Sequence, residues 1–206
     1  MEKKKLTQTE ADEIIAKHAF WMRDHSEHSG NIKADFSNMF LDDLDLHGVD
    51  LAEANFCCTK ISSCNFASAN LQSAYCPAID IFDSNFASAN LNQAKLNGSK
   101  IYSSNFSNTN LACAKFNEGA KIVGVKFCNA NLTYTDFRAT EFYGVDFKFA
   151  DLTNAYIDFS RSILGQASHA KISRELMFKL VAFLCDFEGD DPEIKQLQNM
   201  LRPFVG

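Results

Sequence analysis

The sequence predicts an all-β solenoid, a chain that winds as a coil with four flat sides, each side one pentapeptide long. Three observations predict it. The heptapeptide NFASANL occurs at residues 65–71 and again at 85–91, and the variant NFSNTNL follows at 105–111. Large apolar residues recur at every fifth position, and residues 20 positions apart resemble one another. A fixed repeat of this length is typical of a solenoid in which each repeat stacks on the one before it.

The five-residue period extends over residues 36–157. Of its 25 positions, 24 are Leu, Ile or Phe, and the exception is Cys76. Small residues, mostly Ala, Ser or Thr, stand two positions before these centres and are predicted to point inward with them. The period matches neither the 3.6 residues of a helix nor the 2.0 of a strand. One extra residue enters at 117–119, and because the pattern resumes at Ile122, we expect it to bulge out at a corner without shifting the sides.

Stacking of successive coils should place residues 20 positions apart directly above one another. The predicted structural core consists of two such columns, one of leucines and one of phenylalanines. They contain Leu51, Leu71, Leu91, Leu111, Leu132 and Leu152 in the first column and Phe66, Phe86, Phe106, Phe127 and Phe147 in the second. Burial of each side chain contributes roughly 1.5–3 kcal/mol, so these columns should dominate the stability of the rod.

The triplets Ala-Asp-Phe and Ala-Asn-Leu, as at residues 34–36 and 69–71, make the chain resemble the pentapeptide-repeat family. The resemblance covers roughly residues 34–172. It implies a right-handed quadrilateral parallel β-helix, here of about six to seven coils. The chain departs from the family pattern where a large residue replaces the small inward one, at Met39, Leu44 and Ile79.

Helical segments are predicted on both sides of the repeats. The predicted domains are an N-terminal helical cap at residues 1–33, the β-helix at 34–172 and a C-terminal helical segment at 173–206. Residues 7–25 are typical of a helix that begins with a capping box of Thr7 and Glu10. The C-terminal segment should hold one helix over 173–187 and another after Asp191. Bare solenoid ends expose unpaired strand edges, so the helices are predicted to cap the rod. The alternative for residues 173–206 is a homodimer interface.

The composition argues against several classes of protein. The formal net charge is −6, from 26 acidic and 20 basic residues, whereas a nucleic-acid binder is normally basic, so no direct nucleic-acid binding is expected. No apolar run is long enough to span a bilayer, and no signal peptide is predicted. The seven cysteines show no paired framework, which is typical of the reducing cytoplasm. No catalytic motif is recognisable, so we predict no enzymatic activity, no cofactor and no metal.

An outward stripe is the most informative surface feature of the sequence. The residues that follow the centres of one side, on successive coils, are Phe82, Tyr102, Val123 and Tyr143. Outward lysines stand beside them at Lys100 and Lys121, with Lys95 and Lys115 on the adjacent side. An exposed apolar stripe usually marks a contact with another molecule, so we predict that these eight residues form a binding surface. The alternative is that a terminal helix covers the stripe.

Three functions fit this pattern. The leading prediction is a non-catalytic scaffold for protein–protein interaction, with an unknown protein partner. The second follows from the resemblance, since some family members imitate duplex DNA and bind DNA gyrase or topoisomerase, which confers quinolone resistance. Over residues 34–172 the acids lie mainly at the two ends and lysines occupy the middle. That is a poor imitation of the roughly 18 phosphate charges of a duplex of this length. The third function is that of a bacterial effector or a membrane-associated protein.

Overall fold

The computed structural model describes residues 3–23, 32–157 and 170–172, and the helices predicted over 173–206 lie outside this range. The elements in chain order are β1 (Lys4–Lys5), α1 (Gln8–Arg23), β2 (Met39–Asp42), β3 (Lys60–Ser62), β4 (Asp80–Phe82), β5 (Lys100–Tyr102), β6 (Lys121–Val123), β7 (Asp136–Phe137), β8 (Glu141–Tyr143), β9 (Asp151–Leu152), β10 (Tyr156–Ile157) and β11 (Lys171–Ile172). Seven strands form one parallel sheet in the order β1-β2-β3-β4-β5-β6-β8, while β10 pairs with β7 and β11 with β9.

The register of the sheet confirms the predicted β-helix. Ile61 pairs with Ile81 and Ile81 with Ile101, so each coil takes 20 residues. The other three sides of the coil are joined by single parallel bridges, of which Asn65 with Asn85 is an example. The five-residue period thus corresponds to one flat side of the coil, and the chain is the right-handed quadrilateral parallel β-helix that the family resemblance implies. Among the described residues, no helix is long and apolar enough to cross a membrane.

Each corner of the coil is a tight turn that explains the spacing of the repeat. At the corner after Phe66, the N–H of Ala69 donates to the carbonyl oxygen of Phe66 at 3.1 Å, and Ser68 has a φ of 59°. A left-handed residue at the third position of a four-residue turn defines the type II geometry. The next residue, Ala69, is fully buried where the following side begins. The residue directly after the turn therefore points inward and is usually small. A side therefore needs an apolar centre, two turn residues, a small residue and a polar residue, which is the observed period of five.

The extra residue at 117–119 is absorbed at one corner. Glu118 and Gly119 both have positive φ angles, 67° and 80°, where other corners have a single such residue. Lys100 pairs with Lys121, a separation of 21 rather than 20 residues, and the following pairs continue in register. The predicted bulge thus leaves the sides aligned.

The core is a dry stack of aromatic and aliphatic side chains. All eleven residues of the two predicted core columns are buried, with exposed fractions between 0% and 3%. The rings of Phe66 and Phe86 lie 4.7 Å apart and 3° from parallel, and those of Phe86 and Phe106 lie 4.7 Å apart and 6° from parallel. The large inward residues Leu44 and Ile79 are also buried, so the interior accommodates them.

The N-terminal segment packs on the first coils. Strand β1 pairs with β2, and α1 begins at the predicted capping box, in which the N–H of Thr7 donates to Oε2 of Glu10 at 2.9 Å and the N–H of Glu10 to Oγ1 of Thr7 at 3.3 Å. A hydrogen bond from Lys4, together with those from Thr7, lowers the pKa of Glu10 to about 2. Farther along α1, the buried His18 accepts a hydrogen bond at Nδ1 from the N–H of Ala34, 3.1 Å away. These contacts attach the helix to the rod, while the domain boundaries at 33 and 172 stay a prediction.

Two columns of asparagine explain the polar residue before each centre. The columns, each with an aspartate at the N-terminal end, are Asp45, Asn65, Asn85 and Asn105, and Asp50, Asn70, Asn90, Asn110 and Asn131. Each side-chain amide donates to the Oδ1 of the residue one coil below, over 2.8–3.2 Å. The N-terminal member of each column, Asp45 or Asp50, accepts this hydrogen bond and does not donate one in turn. A carboxylate can therefore replace the amide at that position.

Replacing Asn85 by aspartate tests this ladder. The carboxylate would have no proton to donate to Oδ1 of Asn65, which now accepts at 3.2 Å. We expect the free energy of unfolding at pH 7 to fall by roughly 1–3 kcal/mol, measured by urea denaturation. The matched control is Asp45→Asn, because its Oδ1 can still accept from Asn65 and from the N–H of His47. Equal losses in the two variants would show that the direction of the ladder has no energetic meaning.

Candidate functional site

The candidate site is the outer face of the seven-stranded sheet. In each three-residue strand the middle side chain points into the core, as Ile81 and Ile101 do, and the two flanking side chains point outward. The register stacks these outward residues into two columns. The charged column consists of Lys60, Asp80, Lys100, Lys121 and Glu141, and the aromatic column consists of Phe82, Tyr102, Val123 and Tyr143. The strand spacing of ~4.8 Å fixes the distance between neighbours in each column.

The four residues of the aromatic column all lie on this one face. Phe82, Tyr102 and Val123 are half-buried by their neighbours, and Tyr143 is 49% exposed. The rings of Phe82 and Tyr102 are 5.2 Å apart and 2° from parallel. Such offset stacking adds to the energy of apolar burial and holds both rings in one orientation. The column therefore presents ordered, partly hydrated aromatic surface.

The charged column lies directly beside the aromatic column. Lys100 is exposed, whereas the ammonium of Lys121 lies 5.3 Å from the ring centre of Tyr143 and 3.9 Å from the carboxylate of Glu141. One coil below Asp80, the ammonium of Lys60 lies 5.6 Å from the ring centre of Phe82. Such cation–π contacts place the lysine stems over the rings and tie the two columns together.

Three members of the charged column were not predicted from the sequence. Lys60, Asp80 and Glu141 join Lys100 and Lys121 there, and Phe40 continues the column below Lys60, whose ammonium lies 4.8 Å from the Phe40 ring centre. Counting 20 residues back from Lys100, and forward by one step of 21 and one of 20 to include the extra residue at 117–119, reaches all of them.

The structure divides the eight predicted binding residues between two sides. Lys95 and Lys115 belong to the preceding side, in a column with Tyr75 below and Asp136 above. The ammonium of Lys95 lies 5.7 Å from the ring centre of Tyr75. Asp136 is 8% exposed and accepts hydrogen bonds from the Arg138 guanidinium at 2.7 and 2.9 Å, which lower the pKa of its carboxyl group. These two lysines flank the outer face rather than share it.

A shallow polar groove of about 470 Å³ follows the corner beside the aromatic column. Its lining residues are Ser63, Cys64, Asn65, Asp83, Ser84, Asn85, Ser103 and Asn105. The hydroxyl of Ser84 is already engaged, since it donates to the carbonyl oxygen of Phe82 at 2.7 Å and accepts from the N–H of Cys64 at 3.1 Å. Burial raises the pKa of the Cys64 thiol, so it is not an activated nucleophile. Within the described ranges, no group of three or more His, Cys, Asp or Glu could hold a metal ion.

Four flat sides of five residues, stacked in register around a dry core, define a class of parallel β-solenoid in which the outer faces carry the variable side chains. The chain belongs to the pentapeptide-repeat family, whose sequence model, described as pentapeptide repeats, matches it in eight copies over residues 32–67, 84–118 and 120–158. No curated protein sequence matches the chain.

Solved structures of pentapeptide-repeat proteins are similar to this chain at low sequence identity. A trypsin-treated variant of QnrB1, a plasmid-mediated fluoroquinolone resistance protein, is 14% identical, with 72% of this chain and 89% of that chain covered and a TM-score of 0.45. HetL, involved in heterocyst differentiation regulation in the cyanobacterium Nostoc sp. strain PCC 7120, is 20% identical, with coverage of 68% and 70% and a TM-score of 0.33. A protein of the Arabidopsis thaliana thylakoid lumen is 23% identical, with coverage of 57% and 67% and a TM-score of 0.24.

Proposed function

We propose that this protein is a non-catalytic scaffold that binds a protein partner through the outer face of the seven-stranded sheet. The observation that carries the proposal is the aromatic column, in which Phe82, Tyr102, Val123 and Tyr143 stack on successive coils at the surface beside lysines. Aromatic residues are enriched in the cores of protein interfaces because they bury large areas with few rotatable bonds.

The rigidity of the face supports the same function. Every strand of the face is hydrogen-bonded to a strand on each side, except at the ends of the sheet, so the columns keep a fixed pitch. Tyr102 is held further by its stack on Phe82. A partner that binds such a surface loses little energy to ordering it, which favours recognition by a preorganised face.

The charges of this face do not favour imitation of duplex DNA. Its charged column has three lysines and two acids, whereas a duplex surface carries only negative charge.

The proposed location is the cytoplasm, in agreement with the six cysteines of the described ranges, which are free thiols.

Exchange of the two tyrosines of the aromatic column is the direct test. In the double variant Tyr102→Ser/Tyr143→Ser the apolar surface of the face is reduced and no core residue is touched. We expect the immobilised variant to retain at least tenfold less of the specific partner from an extract of the native cell, measured by quantitative mass spectrometry, which corresponds to a loss of about 1.4 kcal/mol or more.

A matched control separates the face from general surface chemistry. Tyr75 and Tyr156 are 46% and 51% exposed on the preceding side of the coil, so Tyr75→Ser/Tyr156→Ser removes similar rings elsewhere. This control should retain the partner at the wild-type level, and all three proteins should unfold within a few degrees of one another. Equal retention by the Tyr102/Tyr143 variant and the wild type would refute the proposal.

A further inference from the structure

The order of the charges in the charged column inverts about its middle. Along the rod the signs are plus, minus, plus, plus and minus, for Lys60, Asp80, Lys100, Lys121 and Glu141. One coil from Lys100, the residue toward the N-terminal end is the acid Asp80 and the residue toward the C-terminal end is the base Lys121. Two coils from Lys100 the signs are exchanged, with Lys60 on the N-terminal side and Glu141 on the C-terminal side. A copy of the column turned end to end would therefore meet opposite charges at both distances.

A two-fold axis in the plane of contact, parallel to the strands and level with Lys100, produces this arrangement. It reverses the rod axis but keeps the strand direction, so the charged column faces the charged column of the second copy. Lys60 of one copy then lies opposite Glu141 of the other, and Asp80 opposite Lys121, and each pair occurs twice because the contact is isologous. Within the charged column only Lys100 meets its own copy, and Asp80 of each copy stands one coil away from it.

The same axis matches the apolar residues of the two copies. It places Phe82 opposite Val123 and Tyr102 opposite Tyr102, while Tyr143 faces the small side chain of Ser62, which lies in the same column below Phe82. An apolar seam would thus run beside the row of ion pairs. The surface is complementary to itself in both polarity and charge, which is the requirement for an isologous dimer.

Neighbouring arrangements lack this match. Moving the axis by half a coil toward β4 sets Lys60 against Lys121, and moving it by half a coil toward β6 sets Asp80 against Glu141 and Lys100 against Lys121. An axis along the rod places each charged column on the aromatic column of the other copy, where no ion pair forms. Like charges brought together in an interface are unfavourable. Of these arrangements, the register centred on Lys100 forms the most pairs of opposite charge, and its single like-charge contact is that of Lys100 with its own copy.

We infer that the partner of this face is a second copy of the same chain, bound antiparallel with Lys100 at the two-fold axis. The inference rests on the proposed function, since it names the partner of the same surface. It concerns a surface other than residues 173–206, for which a homodimer was the alternative predicted from the sequence.

The charged groups of the face are available for such contacts. Among the described residues, no ion pair within 4.0 Å engages Lys60, Asp80 or Lys100. Lys121 and Glu141 form an ion pair at 3.9 Å in which both side chains are partly solvated, with exposed fractions of 43% and 59%. A contact of this kind contributes little and can be exchanged for one with the second copy.

The size of the face sets the expected strength. Five coils span about 19 Å, and the face is one short strand wide, so each copy contributes only a few hundred Å². Stable complexes bury about 800 Å² on each side. The dimer should therefore be weak, concentration-dependent and sensitive to salt, and it is best measured at low ionic strength.

Charge reversal at the two ends of the column tests the inference with the full chain. Lys60→Glu and Glu141→Lys each set like charges opposite one another, twice per dimer. Sedimentation equilibrium should show a wild-type dimer at protein concentrations up to about 0.5 mM and a dissociation constant at least tenfold higher for each variant alone. An equimolar mixture of the two variants should associate again. The acid introduced by Lys60→Glu then meets the base introduced by Glu141→Lys, and the unchanged Glu141 of the first variant meets the unchanged Lys60 of the second. Circular dichroism should show unchanged folding in every protein.

Several outcomes would overturn the inference. The first is a wild-type chain that stays monomeric over this concentration range. The second is that the single variants dimerise as the wild type does. The third is that the wild type dimerises but the mixture of the two variants does not associate. If partner capture still depends on Tyr102 and Tyr143 in any of these cases, the proposed function stands and only the identity of the partner is wrong. If, in addition, the Tyr102→Ser/Tyr143→Ser variant captures the partner as the wild type does, both proposals fall.

Discussion

Replacing Phe86 by alanine is expected to lower the free energy of unfolding by roughly 3–5 kcal/mol. The side chain is 2% exposed, and its ring is stacked between those of Phe66 and Phe106, 4.7 Å away on either side. The variant loses the transfer energy of the ring, leaves a cavity and removes both ring contacts. Urea denaturation followed by circular dichroism measures the loss.

The rod gives this cavity little opportunity to collapse. The coils above and below are held at the strand spacing by backbone hydrogen bonds, such as that from the N–H of Phe66 to the carbonyl oxygen of Asn85 at 2.7 Å. Movement of one coil into the cavity would break this ladder, so the surroundings relax only partly. The expected cost is accordingly in the upper range for a large-to-small core substitution.

Phe82→Ala is the matched control. Phe82 lies four residues from Phe86 and also stacks on an aromatic ring, that of Tyr102, but it is on the outer face and half-buried. Its removal should cost about 1 kcal/mol or less, the value of a surface aromatic pair. A loss at Phe82 as large as that at Phe86 would contradict the assignment of one side chain to the surface and the other to the core.

The sequence was sufficient to predict the body of the rod because its period is dictated by the turn. Each corner repeats the same backbone turn and leaves room for an inward residue that is usually small, so the pattern at Phe66 recurs at Phe86 and Phe106. A local rule repeated many times leaves a strong signal in the sequence. The pairing of strand β1, Lys4–Lys5, with β2 leaves no such signal, because β1 lies outside the repeats and the pairing occurs once.

The candidate site was predictable in its positions but not in its exposure or its charges. Column counting placed Phe82, Tyr102, Val123 and Tyr143 on one face, because residues of one column are equivalent in every coil. How far each side chain is covered depends on neighbours of different lengths, such as the lysine that lies over Phe82. The order of charge on the face depends on all five members of the charged column, of which only Lys100 and Lys121 were predicted.

The second large effect is expected from deletions at two corners. Removal of Glu118 should change the free energy of unfolding by less than about 1 kcal/mol, whereas removal of Asn108 should lower it by about 3 kcal/mol or more. Both residues have positive φ angles at corners of the rod, 67° and 60°. They differ in that Glu118 belongs to the corner with the extra residue.

Deletion of Glu118 restores the regular coil. The remaining residues Phe116, Asn117, Gly119, Ala120 and Lys121 then align one for one with Leu96, Asn97, Gly98, Ser99 and Lys100 of the coil below. Gly119 would take the position of Gly98, which has a φ of 63°, a conformation that glycine adopts without strain. Ala120 already points inward and is fully buried, so no core residue has to move.

Deletion of Asn108 shortens a corner that has no residue to spare. The N–H of Asn108 donates to the carbonyl oxygen of Cys128, and the turn closes through the hydrogen bond from Thr109 to Phe106. Without Asn108 the side must either leave the turn unclosed or pull Leu111 out of the core, which costs the burial of at least one large side chain. Urea denaturation of the two deletion variants and the wild type under the same conditions compares these costs. Similar losses of unfolding free energy in both variants would show that the extra residue is an integral part of its corner. A residue that is only tolerated there can be deleted at little cost, whereas a residue of a regular corner cannot.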